Sequence, residues 1–190
     1  MKKPSKKTFV RLIWLGLAGL FLLTIALTAV IGYQSTHQNN AANNTTQEGA
    51  NLNCKSDPSI KVNQPSNGQF SDTKLASFTP PLKIDQLSCI DIVKGSGAQV
   101  SASSVVTVNY VGALASDGTI FDSSYKTGQP ATFPLSGVIK GWTLGMPGMK
   151  AGGVRRLLIP AAQAYGASSP SVVIPPNSDM VFDISLISVN

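Results

Sequence analysis

From Leu12 to Gly32 the chain runs for 21 residues without a charge. No other segment limits the fold so strongly. A helix of that length is about 32 Å long, close to the hydrocarbon thickness of a bilayer. A core helix of similar length would carry a polar stripe, and this run has none. A cleaved secretory signal also has a basic start and an apolar centre, but its apolar stretch is shorter and ends in a small-x-small site that is missing here. The reading favoured is a single transmembrane helix, left uncleaved as a signal-anchor. Lys2, Lys3, Lys6, Lys7 and Arg11 precede it and stay on the cytoplasmic side, so everything after Tyr33 is expected outside. The protein is then single-pass, with its folded part periplasmic or at the cell surface.

That basic start also accounts for the net charge of +6. Setting its five cations aside leaves ten basic residues against nine acidic ones. Without a basic stripe on the folded part, nucleic acid is not an expected partner. His37 is the only histidine and Cys54 and Cys89 are the only cysteines, too few for a zinc site or a Cys–His nucleophile. No metal or cofactor is expected, and a hydrolase lacks its histidine base. Outside the cytoplasm Cys54 and Cys89 can pair as a disulfide; two unrelated thiols fit the sequence equally well.

Three regions follow. Residues 1–33 are the basic start and the anchor. Residues 34–81 begin rich in Asn, Thr and Gln and continue with scattered apolar residues, and are expected to form a polar, flexible linker; the stretch from Pro58 reads either as more linker or as an extension docked on the domain. Residues 82–190 are the folded domain. Within it, Leu87–Val93, Val105–Leu114, Thr119–Phe121, Val154–Ile159 and Met180–Val189 have strand character, with a hairpin signal at Asp117-Gly118. Only Ile139–Met146 looks helical, and Gly145 with Pro147-Gly148 ends it. The expected class is α+β, an antiparallel twisted sheet wrapped around one short helix.

The stretch from Val138 to Gly166 holds Trp142 between two glycines, then a strand headed by Arg155 and Arg156, then Tyr165 at the start of a loop. A rigid ring in a short helical turn can serve as the floor of an apolar pocket, as well as filling a core. Asp122 directly follows the aromatic Phe121 and is costly to bury there unless hydrogen-bonded. Arg155 and Arg156 lie on an alternating strand and point oppositely, so solvated surface is expected for both.

Taken in order, Phe121-Asp122-Ser123-Ser124, Val138-Ile139-Lys140-Gly141-Trp142, Ala164-Tyr165-Gly166 and Val173-Ile174-Pro175-Pro176 resemble the FKBP family of peptidyl-prolyl isomerases, over roughly Leu87 to Val189. The resemblance implies a non-covalent rotamase acting on X-Pro bonds, with Asp122 and Tyr165 as catalytic residues. It implies a proline pocket lined by Tyr110, Phe121, Val138, Ile139, Trp142, Ile174 and Phe182. It also implies proline-containing polypeptides as substrates, sensitivity to macrolide inhibitors of that class, and a monomer. Combined with the anchor, the expectation is an isomerase or chaperone for exported proteins at the outer face of a membrane. Two positions depart from the pattern: Thr127 stands where an arginine is expected and Ala131 where an aromatic is expected, which opens one rim of the pocket. Pro170 also departs, in the loop after Tyr165. These departures keep a second reading open, a binding or chaperone module with little turnover.

Overall fold

Val105–Leu114 is a long β-branched run, and the sheet is built around it. The structure, a computed structural model, describes residues 52–80 and 82–190; the expected basic start, anchor and first part of the linker lie outside the described residues. Among the described residues the strands are β1 (Lys55–Ser56), β2 (Ser88–Val93), β3 (Val105–Leu114), β4 (Ile120–Ser123), β5 (Ala131–Pro134), β6 (Val154–Ile159) and β7 (Met180–Val189), with one α-helix, α1 (Lys140–Gly145). They form a single sheet in the order β1-β2-β6-β7-β3-β4, and β5 also pairs with β3. All pairings are antiparallel except β1 with β2. Among the described residues no helix is long and apolar enough to cross a membrane.

Alternate residues of β3 sort into two cores, as the two-residue period of a strand requires. Val106, Val108 and Leu114, with Tyr110 packed against them, join Leu157, Ile159, Met180, Phe182 and Ile184 on the face covered by α1. Val111, Ala113 and Ala115 join Val181, Leu75 and Ile84 on the opposite face. Helix α1 lies very close to β6. A Cβ on Gly141 would come within 2.5 Å of Ile159, and one on Gly145 within 2.8 Å of Leu157. Glycines four apart occupy one helix face, so this pair lets the helix backbone sit directly on the sheet and brings Trp142 against it.

The opposite face is covered by the chain before β2, which corrects the expected boundary at Leu82. Residues 51–190 form one compact unit. Phe70, Leu75, Phe78, Leu82 and Ile84 pack into the second core. Within this strap the buried Asn63 side chain donates to Asp72 and to the Lys74 carbonyl and accepts from the Ala76 N–H. At one sheet edge a disulfide joins Cys54 to Cys89, with Cα atoms 4.7 Å apart. At the other edge the strap's Lys74 forms an antiparallel bridge with Thr119.

Arg155 and Arg156 do point to opposite faces, yet neither is solvated: they are 5% and 3% exposed. Arg155 grips Asp91 through Nε (2.7 Å) and donates to the Gly145 carbonyl (2.8 Å), capping α1 at its negative end. Arg156 holds Asp183 through two N–H groups (2.6 and 2.8 Å) and donates to the carbonyls of Ser77 and Ala76. Burial pushes the Asp183 carboxyl upward, and the Arg156 contacts pull against that shift. The expectation failed because both faces of the sheet are covered, so an alternating strand has no wet side.

Candidate functional site

On the α1 face, side chains from five elements surround a cavity of about 440 Å³. Tyr110 comes from β3, Phe121 and Asp122 from β4, Phe133 from β5, Trp142 from α1 and Phe182 from β7, with Val138 and Ile139 on the approach to the helix and Tyr165 on the loop after β6. The rings meet edge to face: Trp142 lies 5.4 Å from Phe182 at 89°, 5.6 Å from Tyr110 at 83° and 5.9 Å from Phe133 at 89°. Phe121 meets Phe182 at 5.6 Å and 82°. Such T-shaped pairs are a favoured aromatic geometry, and together they form a rigid cup.

Space for two of these rings comes from a glycine. A Cβ on Gly112 would lie 2.6 Å from the Phe182 ring and 2.8 Å from that of Phe121, so no larger residue fits without displacing the wall. Trp142 is 4% exposed and its indole Nε1–H has no hydrogen-bond partner among the described residues. It is held by shape alone.

The polar groups are few. The Tyr110 hydroxyl donates to Asp122 Oδ2 at 2.6 Å, and Asp122 Oδ1 accepts the N–H of Ser123 at 2.8 Å. The Ser123 hydroxyl in turn donates to the Tyr110 carbonyl (3.0 Å), locking the two strands around the pair. Burial, and then the bond to Asp122, raise the Tyr110 phenol far above its ordinary value. Burial also raises Tyr165, with a smaller contribution from the Asp122 charge. Both phenols therefore keep their protons near neutrality. Tyr165 is 37% exposed.

Of the expected lining, Tyr110, Phe121, Val138, Ile139, Trp142 and Phe182 converge on the cavity with Asp122 and Tyr165. Ile174 does not. The bridge between Ser171 and Ile174 folds the loop back and buries Ile174 in the main core, leaving Val172 and Val173 outside. Phe133, absent from the expected set, is a wall residue. Its signal was the strand alternation after Pro130: Phe133 and Ala131 share a face, so the ring missing at Ala131 has a neighbour two residues on. Thr127 contributes nothing to the site, since its hydroxyl donates to the Ser124 carbonyl (2.8 Å) and closes a single 3-10 turn. Even so, Asp122 has a side-chain partner in Tyr110.

Residues 97–187 match the family described as FKBP-type peptidyl-prolyl cis-trans isomerase. The chain is 48% identical over 95 residues to "Peptidyl-prolyl cis-trans isomerase Mip" of Coxiella burnetii, a match covering 50% of this chain and 41% of that protein. It is also 48% identical over 95 residues to "Outer membrane protein MIP" of Legionella longbeachae, covering 50% and 40%. The match thus spans about two fifths of the length of these curated relatives. Among solved structures, a peptidyl-prolyl cis-trans isomerase from Pseudomonas syringae pv. tomato superposes with a TM-score of 0.51 at 40% identity, over 59% of this chain and 83% of that one. With an aromatic cup, a Tyr110–Asp122 pair and this likeness extending over most of a solved isomerase, the chain belongs to the FKBP-type peptidyl-prolyl cis-trans isomerase family.

Proposed function

We propose that the chain catalyses cis/trans isomerisation of X-Pro bonds without a covalent intermediate, and that the cavity floored by Trp142 is where it does so. The observation that carries this is the geometry of the cavity: aromatic rings packed edge to face around Trp142, with the Tyr110–Asp122 pair and Tyr165 in the same lining. Rotation about an X-Pro amide faces a barrier set by resonance, about 18–20 kcal/mol. The planar amide is more polar than the twisted one. An apolar cup that strips it of water favours the twisted form relative to the planar form.

In this reading the proline ring lies on Trp142 between Tyr110 and Phe182, and Tyr165 donates to the carbonyl preceding the proline. Asp122 accepts from the Tyr110 hydroxyl and so keeps that ring oriented at the cup wall. A ten-thousand-fold acceleration requires only about 5.4 kcal/mol, which desolvation and one or two aligned donors can supply. Macrolides that present an apolar ring and an amide-like carbonyl should compete for the same cup.

The test is exchange of an Ala-Leu-Pro-Phe peptide by the full chain. Tyr165→Phe should lower kcat/KM about three- to tenfold, the equivalent of one hydrogen bond, and Asp122→Ala should lower it further. Peptide resonances that shift on binding without faster exchange would replace catalysis with the binding-module reading. Rates unchanged in both variants would refute the site assignment.

The location proposed is the outer face of a membrane. It is supported by the five cations before the uncharged run Leu12–Gly32 and by the outer-membrane name of the Legionella relative. The substrates proposed are proline-containing exported chains, met by a monomeric enzyme. Protease accessibility of the folded part in intact cells or spheroplasts checks the orientation; a protected domain would overturn it.

A further inference from the structure

Asp122 sits on β4, the strand at the sheet's edge, where pairing with β3 is irregular. The register runs Gly112 with Asp122 and then Ala113 with Ile120, so Phe121 is an extra residue between them. A bulge of this kind re-aims side chains, so the aim of Asp122 depends on the bonds to β3 and also on what holds β4 on either side of the bulge. The free edge of β4 is not free here. The Ile120 N–H donates to the Thr73 carbonyl, and the Leu75 N–H donates to the Gly118 carbonyl, each at 2.9 Å. Lys74 reaches the turn before β4, bonding the Asp117 carbonyl (3.0 Å) and the Thr119 hydroxyl (2.7 Å).

A second grip lies just past Asp122. Tyr125 stands in the 3-10 turn that follows β4, and its ring stacks on Phe70 of the strap at 5.7 Å and 24°. Phe70 is delivered there by a tight turn at Asn67-Gly68, both with positive φ (52° and 77°), closed by paired bonds between Ser66 and Gln69. The strap therefore holds the chain at residues 118–120 and again at 125, and Phe121-Asp122 lie between the two holds.

We propose that the strap is part of the catalytic apparatus: Phe70 is a positioning residue that acts through Tyr125 to set Asp122 against Tyr110. This rests on the isomerase reading above for its kinetic consequence, but the placement of Asp122 can be measured without turnover. The substrate never touches Phe70, which lies with Tyr125 in the core on the other side of the sheet.

The experiment is a double-mutant cycle in the full chain. Phe70→Ala should lower kcat/KM for the Ala-Leu-Pro-Phe peptide about three- to tenfold, with circular dichroism unchanged, and Phe70→Tyr should restore it. In an Asp122→Ala background Phe70→Ala should have no further effect. The same loss in both backgrounds, or no loss in the wild-type background, overturns the proposal. In parallel, the Asp122 ¹³Cγ resonance should move in Phe70→Ala and return in Phe70→Tyr; a resonance that stays put overturns it as well. A wild-type chain with no exchange activity would refute the isomerase reading instead, and the Asp122 resonance would still decide whether the strap positions that carboxylate.

Discussion

Replacing Arg156 by leucine should cost this protein more stability than any other single change to a charged residue on β6. The guanidinium makes two bonds to Asp183 and one each to the carbonyls of Ser77 and Ala76. Leucine removes all four and leaves a carboxylate that is 4% exposed with no counter-charge. Breaking a buried pair from one side costs about 3–5 kcal/mol, because the remaining charge is stranded. For a folded unit of this size that corresponds to a fall in Tm of roughly 10 °C. Arg156→Lys should fall between the two, since an ammonium cannot serve a carboxylate bidentately and two carbonyls at once. Replacing both partners, Arg156→Met with Asp183→Leu, should recover most of the loss from the pair itself but not the strap's two carbonyl bonds. Urea unfolding followed by Trp142 fluorescence and far-ultraviolet circular dichroism measures each step. A loss below about 1 kcal/mol for Arg156→Leu, the range of an exposed arginine, would refute the reasoning.

Three other outcomes follow from the geometry. Gly112→Ala should lower peptide affinity and cost about 1–3 kcal/mol, as overpacking does, because its Cβ would push on Phe182 and Phe121 at the cup wall; an unchanged KM and Tm would show that those rings yield freely. Removing the Cys54–Cys89 bridge by paired alanine substitution should cost about 4 kcal/mol by the chain-entropy model for the 35-residue separation, read by urea unfolding of oxidised protein, and a loss under half of that would point to residual order in the unfolded strap. Bonds from the Thr119 hydroxyl and N–H hold the Asp117 carboxyl down at about 2. Its folded value lies below its unfolded one, so its small contribution is present above about pH 4 and is lost as pH falls toward the folded value. Asp117→Asn should flatten that acid limb of a stability-versus-pH curve, and an unaltered limb would assign it to other carboxylates.

The strands and the helix were legible because their signals are local. Val105–Leu114, Val154–Ile159 and Met180–Val189 match their expected bounds, the first from its β-branched run and the last from the alternation of Phe182, Ile184 and Leu186 with Asp183 and Ser185, and α1 is ended by Gly145 and Pro147. The cup was legible as well, since Trp142, Phe182 and Tyr110 come from segments with ordered motifs. What could not be seen was long-range cover. The strap has no apolar period because it is neither helix nor extended sheet, so its buried residues Leu75 and Asn63 are scattered. Its one local signal was Asn67-Gly68, a tight-turn dipeptide inside a stretch otherwise read as linker. Arg155 and Arg156 were misjudged for the same reason: the strap and the C-terminus of α1 supply carbonyl acceptors from up to 80 residues away in sequence. Strand β5 is only four residues long and contains Thr132 and Pro134, which hid both the strand and Phe133.

A sheet covered on both faces loses the usual marker of strand phase. When one side is wet, a strand that slips by one residue turns its polar side inward and is rejected. From Tyr110 to Ala115, β3 and its end face apolar surroundings on both sides, so polarity cannot detect such a slip. Size must do so instead. Gly112 lies under two phenylalanine rings where not even a methyl group fits, and its neighbours Val111 and Ala113 cannot take that place. One missing side chain thus serves as the phase mark of the strand's second half, beyond the reach of the polar Thr107 and Asn109, and fixes in the same stroke which residues there look into the cup and which look toward the strap.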